Sequence, residues 1–368
     1  MNTTYWKALA GGVLTNLKGR RTKERLVIFE SDDWGAIRTP SAEYVDRARE
    51  QGLEVDKSRF RVDALASESD LQRLFDLLAS HRDQDGNPAR FTANSIMANP
   101  SFDQIAESNF QEYFYEPFYL TFERYPEHQN NLQLWKEGIA AGVFQPQFHG
   151  REHLNYKRWL HDLRAGNPKV RFSFNWQSTY SGRADYSYMG AFDWDDPTEV
   201  ENHKVAVREG LAIFAETFQF SSSSFIAPCY TWDQRLNPTL VESGINLIQG
   251  MPVQLQPVGA HGTYDKISHS YGEQDRLGLH YNVRNCVFEP VAAPNQDWVD
   301  KVMARMQAAF LLGKPAVIST HRVNFIGFIE AKNRDRGLRD LDRLLQSMLR
   351  KWPDIRFIST DQLINHLT

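Results

Sequence analysis

The sequence predicts an α/β fold on three observations. Strand-like and helix-like segments alternate along nearly the whole chain, several apolar strand candidates end in ionisable residues, and no repeat, low-complexity run or linker divides it. Strand candidates fall at 25–30, 90–97, 143–148, 223–227, 245–249, 280–288, 315–320 and 355–359. Between them, amphipathic stretches at 41–53, 67–82, 130–141, 198–217, 296–312 and 335–350 predict helices. From Glu68 to Leu78, Leu71, Leu74, Phe75 and Leu78 share one helical face, and Val299, Val302, Met306 and Phe310 do so between Asn295 and Leu312. The alternation implies a parallel sheet, open or closed into a barrel. Residues 170–197 and 251–276 break the rhythm and read as elaborated loops, which at that length are usually functional or disordered.

At 368 residues the chain could be two domains by length, but α/β barrels of this size often fold as one. The expectation is an N-terminal extension over 1–24 and a single domain over 25–368. A hydrophobic content of 41%, with 23 Phe, 14 Tyr and 9 Trp, supplies a large core and leaves aromatics to line a ligand cleft. Acidic residues outnumber basic ones, 46 to 42, for a formal charge of −4, which argues against a nucleic-acid or polybasic membrane binder. Nothing approaches the roughly 18–20 apolar residues of a membrane span. The apolar patch Ala8 to Leu14 precedes Lys18, Arg20 and Arg21, the reverse of a secretory signal. Two cysteines, Cys229 and Cys286, are too few for a disulfide framework, so the chain reads as cytoplasmic with free thiols.

The densest chemical signal is Leu26-Val-Ile-Phe-Glu-Ser-Asp-Asp-Trp-Gly35, an apolar run leading into two adjacent carboxylates. Two acids at a buried strand end are costly unless something positive sits beside them, and a divalent cation meets that need. Because successive strand side chains point opposite ways, one aspartate can bind a metal while the other stays free as a base. A helix-capping Asp-Asp in a turn before Ser41 is the other reading.

A second signal, Phe144-Gln-Pro-Gln-Phe-His-Gly-Arg-Glu-His153, places two histidines four apart after a strand candidate. If the chain turns into a helix there, His149 and His153 share a face, about 5–6 Å apart at Cβ. Two histidines and one carboxylate suit zinc with an open position for water, and equally a non-haem iron triad. In a third, Lys314-Pro-Ala-Val-Ile-Ser-Thr-His321-Arg-Val-Asn324, a strand again ends in an ionisable residue. Three strands thus deliver Asp32 and Asp33, the histidine pair, and His321 to what should be one common face. In Ser221-Ser-Ser-Ser-Phe-Ile-Ala-Pro-Cys-Tyr-Thr-Trp232, Pro228 sets a rigid turn able to aim backbone N–H groups at an oxyanion; a simple strand-terminating loop is the alternative. Arg284-Asn285, polar within an apolar run, faces either a pocket or a sheet edge. Among the other histidines, His261 and His269 stand out only because they sit in an elaborated loop.

From about Leu26 to the C-terminus, the order and spacing of these motifs resemble the polysaccharide deacetylase superfamily, the NodB-homology carbohydrate esterases. Its TFDDG-like motif appears as Phe29-Glu-Ser-Asp32-Asp33-Trp-Gly35, its HxxxH-like motif as His149-Gly-Arg-Glu-His153, and its last motif as Ile318-Ser-Thr-His321. The resemblance implies a distorted (β/α) barrel of about seven parallel strands and one divalent ion, commonly Zn2+, with Co2+, Ni2+, Fe2+ or Mn2+ as alternatives. It further implies that Asp33, His149 and His153 hold the metal, that Asp32 is the base and that His321 is the acid. Two motifs depart from the family. Its arginine-led RxPxG pattern is here Ile226-Ala-Pro228-Cys229-Tyr230, with Arg151, Arg284 or Arg322 as substitutes for the arginine, and its Asp/Trp motif is not visible near Ile245 to Gly250.

The matching chemistry is metal-assisted hydrolysis of an acetamide or acetate ester on an acetylated sugar, a nucleotide- or lipid-linked sugar, or an oligosaccharide. Trp34, Tyr230 and Trp232 are candidates for stacking on a sugar ring, a backbone N–H near Cys229 or Tyr230 for the oxyanion, and Arg151, Pro228, Arg284, Arg322 and Asn324 for the substrate-facing shell. A glycoside hydrolase pairing Asp32 with an acid from the 187–201 loop, and a non-catalytic carbohydrate binder, are the competing readings.

Overall fold

In the computed structural model, residues 3–367 are described apart from 58, 181, 184, 185 and 261, so His261 lies outside the described residues. The central sheet has ten strands: β1 (Arg25–Trp34), β2 (Phe91–Ser95), β3 (Phe144–Phe148), β4 (Ser224–Ile226), β5 (Leu247–Gly250), β6 (Glu273–Gln274), β7 (His280–Val283), β8 (Cys286–Val287), β9 (Ala316–His321) and β10 (Ile355–Phe357). Every strand candidate read from the sequence contributes to it. The order is β6-β7-β5-β4-β3-β2-β1-β9-β8, with β10 beside the start of β1, and every pairing but β6–β7 is parallel.

The two ends of that order, β7 and β8, are consecutive pieces of one stretch. The Arg284 N–H donates to the Gly250 carbonyl of β5, and the next N–H, on Asn285, donates to the Val317 carbonyl of β9. Successive amides pointing opposite ways join the two edges of the sheet through a single extended segment. The result is the distorted barrel of seven parallel positions that the resemblance implies.

Alternation along β1 sorts its side chains. Val27 and Phe29 join the large apolar cluster with Leu71, Leu341 and Leu345 of the surrounding helices, while Leu26 and Ile28 meet Leu247, Val317, Leu363 and Leu367 on the other face. On that inner face the next residues are Glu30 and Asp32, so the barrel interior is apolar at the N-terminal ends of the strands and polar at their C-terminal ends.

The helix candidates appear as Ala42–Glu50, Glu68–Ser80, Asn131–Ala140, Val200–Phe218, Trp298–Leu311 and Ala331–Lys351. Ser41 caps the first of these, its Oγ accepting from the Tyr44 N–H, so the acidic pair is not a helix cap. The sequence reading left the N-terminal extension and the two elaborated stretches without elements, and the structure differs there. Thr3–Asn16 is a helix packed on Trp298–Leu311 and tied to the barrel through Asn16 and Asn285. Residues 170–197 begin in the helix Pro168–Asn175, and Val253–Gly259 pairs antiparallel with Thr263–Ser268. Cys229 and Cys286 are free thiols, and no helix among the described residues is long and apolar enough to cross a membrane.

Candidate active site

The register of β1 against β9 sets Asp32 opposite His321. Against β2 the register of β1 shifts between Ser31 and Trp34, a bulge at the acidic pair, and Asp33 has φ 72°. Aspartate tolerates this left-handed conformation better than most residues, and the bulge re-aims its side chain. The strict alternation expected for Asp32 and Asp33 is therefore broken, and both carboxylates serve one site.

Asp33 Oδ1 lies 3.4 Å from His149 Nε2 and 3.3 Å from His153 Nε2, and the three groups can offer ligand atoms within 4.8 Å of one another. His149 and His153 sit in a loop, not the helix their spacing suggested, because the next helix begins only at Tyr156. Gly150, at φ 116°, turns that loop, and the two rings come edge to face at 5.1 Å. His149 Nδ1 donates to the Ile226 carbonyl at 2.9 Å, which leaves its Nε2 with a free lone pair. Burial, reinforced by the Arg38 charge, holds His153 well below the usual imidazole range and so neutral. Burial alone would raise Asp33, but His153, His149 and Arg38 hold it well below the carboxylate range. Asp33 Oδ1 is buried with no hydrogen-bond partner among the described residues. Two imidazoles and an ionised carboxylate with an orphaned acceptor oxygen form a donor set that fits a divalent cation.

Of the three arginines named as substitutes, Arg284 is the one bonded to Asp32. Its NH1 donates to Asp32 Oδ2 and its NH2 to Asp32 Oδ1, each at 2.6 Å, and its Nε donates to Glu30 Oε2 at 2.7 Å. Asn94 adds a bond to Asp32 Oδ1 at 2.8 Å. Burial pushes Asp32 up, yet the Arg284 guanidinium wins and brings the carboxyl down to about 2. Oδ1 is saturated by its two donors, whereas Oδ2 keeps a lone pair toward His321 Nε2, 3.8 Å away. His321 Nδ1 in turn meets Glu289 Oε1 at 2.5 Å, and Glu289 Oε2 accepts from Asn324 Nδ2 at 2.8 Å. Burial would lower His321, but the Glu289 charge outweighs it and the imidazole is raised.

Several expected substrate contacts are corrected by packing. Trp34 is 1% exposed, edge to face with Trp135 and Phe144 in the apolar cluster, so it cannot stack on a sugar. Trp232 is also buried, stacked on His269 and bonded to Asn237. Arg151 forks onto Glu152, pairs with Glu209 and lies 4.3 Å over Tyr115. Asn324 holds Glu289 and the Val291 N–H, which makes it a positioning residue. Pro228 is buried in the turn that places Cys229 and Tyr230, both at φ 57°. The Tyr230 hydroxyl accepts from Arg284 NH1 at 3.1 Å, and its own N–H goes to the Ala227 carbonyl, so Cys229 N–H remains the candidate oxyanion donor. Arg322 pairs with Asp63 at 3.1 Å.

Sequence reasoning missed Glu30 and Glu289. Glu30 was findable, standing two residues before Asp32 on the same strand face. Glu289 lies five residues after Arg284, just past β8, so one stretch of chain supplies both the arginine and the acid of the site.

No protein-family model matches the chain, and no curated protein matches it. Among solved structures, it is similar to a putative glycoside hydrolase/deacetylase from Parabacteroides distasonis, at 9% identity over 95% of this chain and 72% of that one, with a TM-score of 0.50. It is also similar to a putative polysaccharide deacetylase from Mycobacterium smegmatis, at 11% identity over 95% and 92% of the two chains, with a TM-score of 0.44. Against a 4-alpha-glucanotransferase from Thermococcus litoralis, 9% identical with a TM-score of 0.47, it covers 93% of its own length but only 40% of that chain. At these identities the likeness is one of fold. The chain thus shares its α/β fold with the putative glycoside hydrolase/deacetylase from Parabacteroides distasonis.

Proposed function

We propose that the chain is a metal-dependent hydrolase that removes an N- or O-linked acetyl group from a sugar or polysaccharide precursor. One observation carries the reading: a metal-competent Asp33–His149–His153 cluster, an arginine-held Asp32 and a carboxylate-held His321 converge at the C-terminal ends of the strands. A divalent ion, best Zn2+ for this donor set, supplies Lewis acidity toward the acetyl carbonyl and acidifies a water when bound. The protein's own groups do the rest. The free lone pair of Asp32 Oδ2 accepts the proton of the attacking water. His321, its Nδ1–H given to Glu289, delivers the Nε2 proton to the departing amine or alkoxide. Cys229 N–H supports the developing oxyanion. The free thiols fit a reducing, cytoplasmic setting.

The glycoside hydrolase reading finds less support, because Asp193 and Asp195 of the 187–201 loop are both locked to Arg158 at 2.7 Å. The test is metal analysis joined to acetate release from acetylated amino sugars. His149→Ala and Asp33→Asn should lose the metal, whereas Asp32→Asn should keep it and lose acetate release. A purified protein that takes up no divalent metal under any condition would sink the reading.

A further inference from the structure

The chemistry above makes no use of Arg38, Arg59 and Arg322, which stand around the metal cluster. Arg38 NH2 lies 3.9 Å from Asp33 Oδ1, Arg59 NH1 lies 3.8 Å from Glu289 Oε2, and Arg322 follows the acid His321 directly in sequence. Burial lowers Arg38, Asp33 and Asp63 oppose that, and the Arg322 charge lowers it again, which puts the two guanidiniums in one another's field. Arg59 feels Asp33, Glu289, Asp63 and Asp32 together, from the rim.

Arg38 and Arg322 are only 2% and 1% exposed, yet Arg38 Nε and NH2 and Arg322 Nε and NH1 have no hydrogen-bond partner among the described residues. The remaining Arg38 nitrogen, NH1, faces the Met189 thioether, a weak acceptor. Buried guanidinium donors without acceptors destabilise a fold, so one 3.9 Å from Asp33 and another next in sequence to His321 call for an anion. The charge balance agrees. Glu30, Asp32, Asp33, Asp63 and Glu289 face Arg38, Arg59, Arg284 and Arg322, so one divalent ion turns a deficit of a single positive charge into an excess of one, and of two when His321 carries its proton. Outside Arg59 opens a cavity of about 310 Å³ whose lining includes Arg61 and Arg336, with Asp56 and Glu330 answering part of their charge.

We propose that the substrate is an acidic acetylated sugar, whose carboxylate or phosphate beside the acetyl group is bound by Arg38, Arg59 and Arg322. The inference rests on the deacetylase reading for its acetyl group. Both anions match the planar fork of a guanidinium, which separates them from a neutral hydroxyl.

The test is calorimetric binding to the metal-loaded full chain of three probes: N-acetylglucosamine, its 1-phosphate and an N-acetylhexosaminuronic acid. At least one acidic probe should bind roughly tenfold or more tighter than the neutral sugar, and which one identifies the anion. Arg59→Gln and Arg322→Gln should each weaken the acidic probe roughly ten- to a hundredfold while changing the neutral one by less than about twofold. Should Arg322→Gln fail to fold, Arg59→Gln carries the comparison, since its side chain is 38% exposed. Equal binding of all three probes, binding of none, or wild-type binding by a folded variant overturns the inference. Acidic preference without acetate release would instead overturn deacetylation and leave the anion site standing. Acetate release from the neutral sugar with no acidic preference would do the reverse.

Discussion

Arg284 grips Asp32 with both terminal nitrogens, NH1 on Oδ2 and NH2 on Oδ1 at 2.6 Å each, inside a barrel where both side chains are nearly inaccessible to water. This fork fixes the plane of the carboxylate and keeps it ionised, which decides where the remaining lone pair points.

Arg284→Lys retains the charge but cannot fork, so it should lower kcat for acetate release by roughly a hundredfold through misplacement of Asp32. Arg284→Gln leaves Asp32 and Glu30 buried without a cation and should cost about 3–5 kcal/mol in denaturant unfolding. Wild-type rates in a folded Arg284→Lys protein would remove the positioning role.

Glu289 raises His321, so the protonated acid persists to higher pH than an isolated imidazole would. Asp32 stays ionised down to about 2, so the alkaline limb of kcat/KM belongs to His321 deprotonation. Glu289→Gln removes the raising charge and should move that limb to lower pH. A limb that does not move assigns it to another group.

Trp34 is core, and its substitution should report packing alone. Trp34→Ala should lose about 3–5 kcal/mol of stability, whereas Trp34→Phe should leave KM for an acetylated sugar unchanged within about twofold if the ring does not touch substrate. A KM that rises with Trp34→Phe at unchanged stability would restore the stacking role.

Gly337, in the helix Ala331–Lys351, admits no side chain, because a Cβ there would stand 1.8 Å from the Asn324 carbonyl oxygen. Gly337→Ala should therefore push Asn324, and with it Glu289 and His321. The expected result is a loss of about 1–3 kcal/mol together with a displaced alkaline limb. A stability loss with an unmoved pH profile would show that the helix supports the fold without tuning the acid.

The resemblance read from spaced motifs named Asp32, Asp33, His149, His153 and His321 together, because each stands where an apolar strand stops, and strand ends are visible in one dimension. The barrel was legible for a related reason: period-two and 3.6-residue patterns report which face each element buries. His149 and His153 meet as expected but by a glycine-turned loop, since spacing constrains neighbours and not the backbone between them. The bulge at Asp33, whose carboxylate meets His149 and His153, was not legible, because it depends on the register of β1 against β2.

By itself, then, the sequence determined the α/β order and the groups of the candidate site, which follow from local hydrophobic period and side-chain chemistry. Only the tertiary structure decided which partners hold those groups. Arg284 and Glu289 come from a stretch more than 250 residues after Asp32, and a guanidinium or carboxylate far along the chain gains its partner only when barrel closure brings the β7–β8 stretch beside β9. The same closure removed Trp34 and Trp232 from the substrate side, since burial of a large aromatic depends on which face of its strand or loop meets the helices.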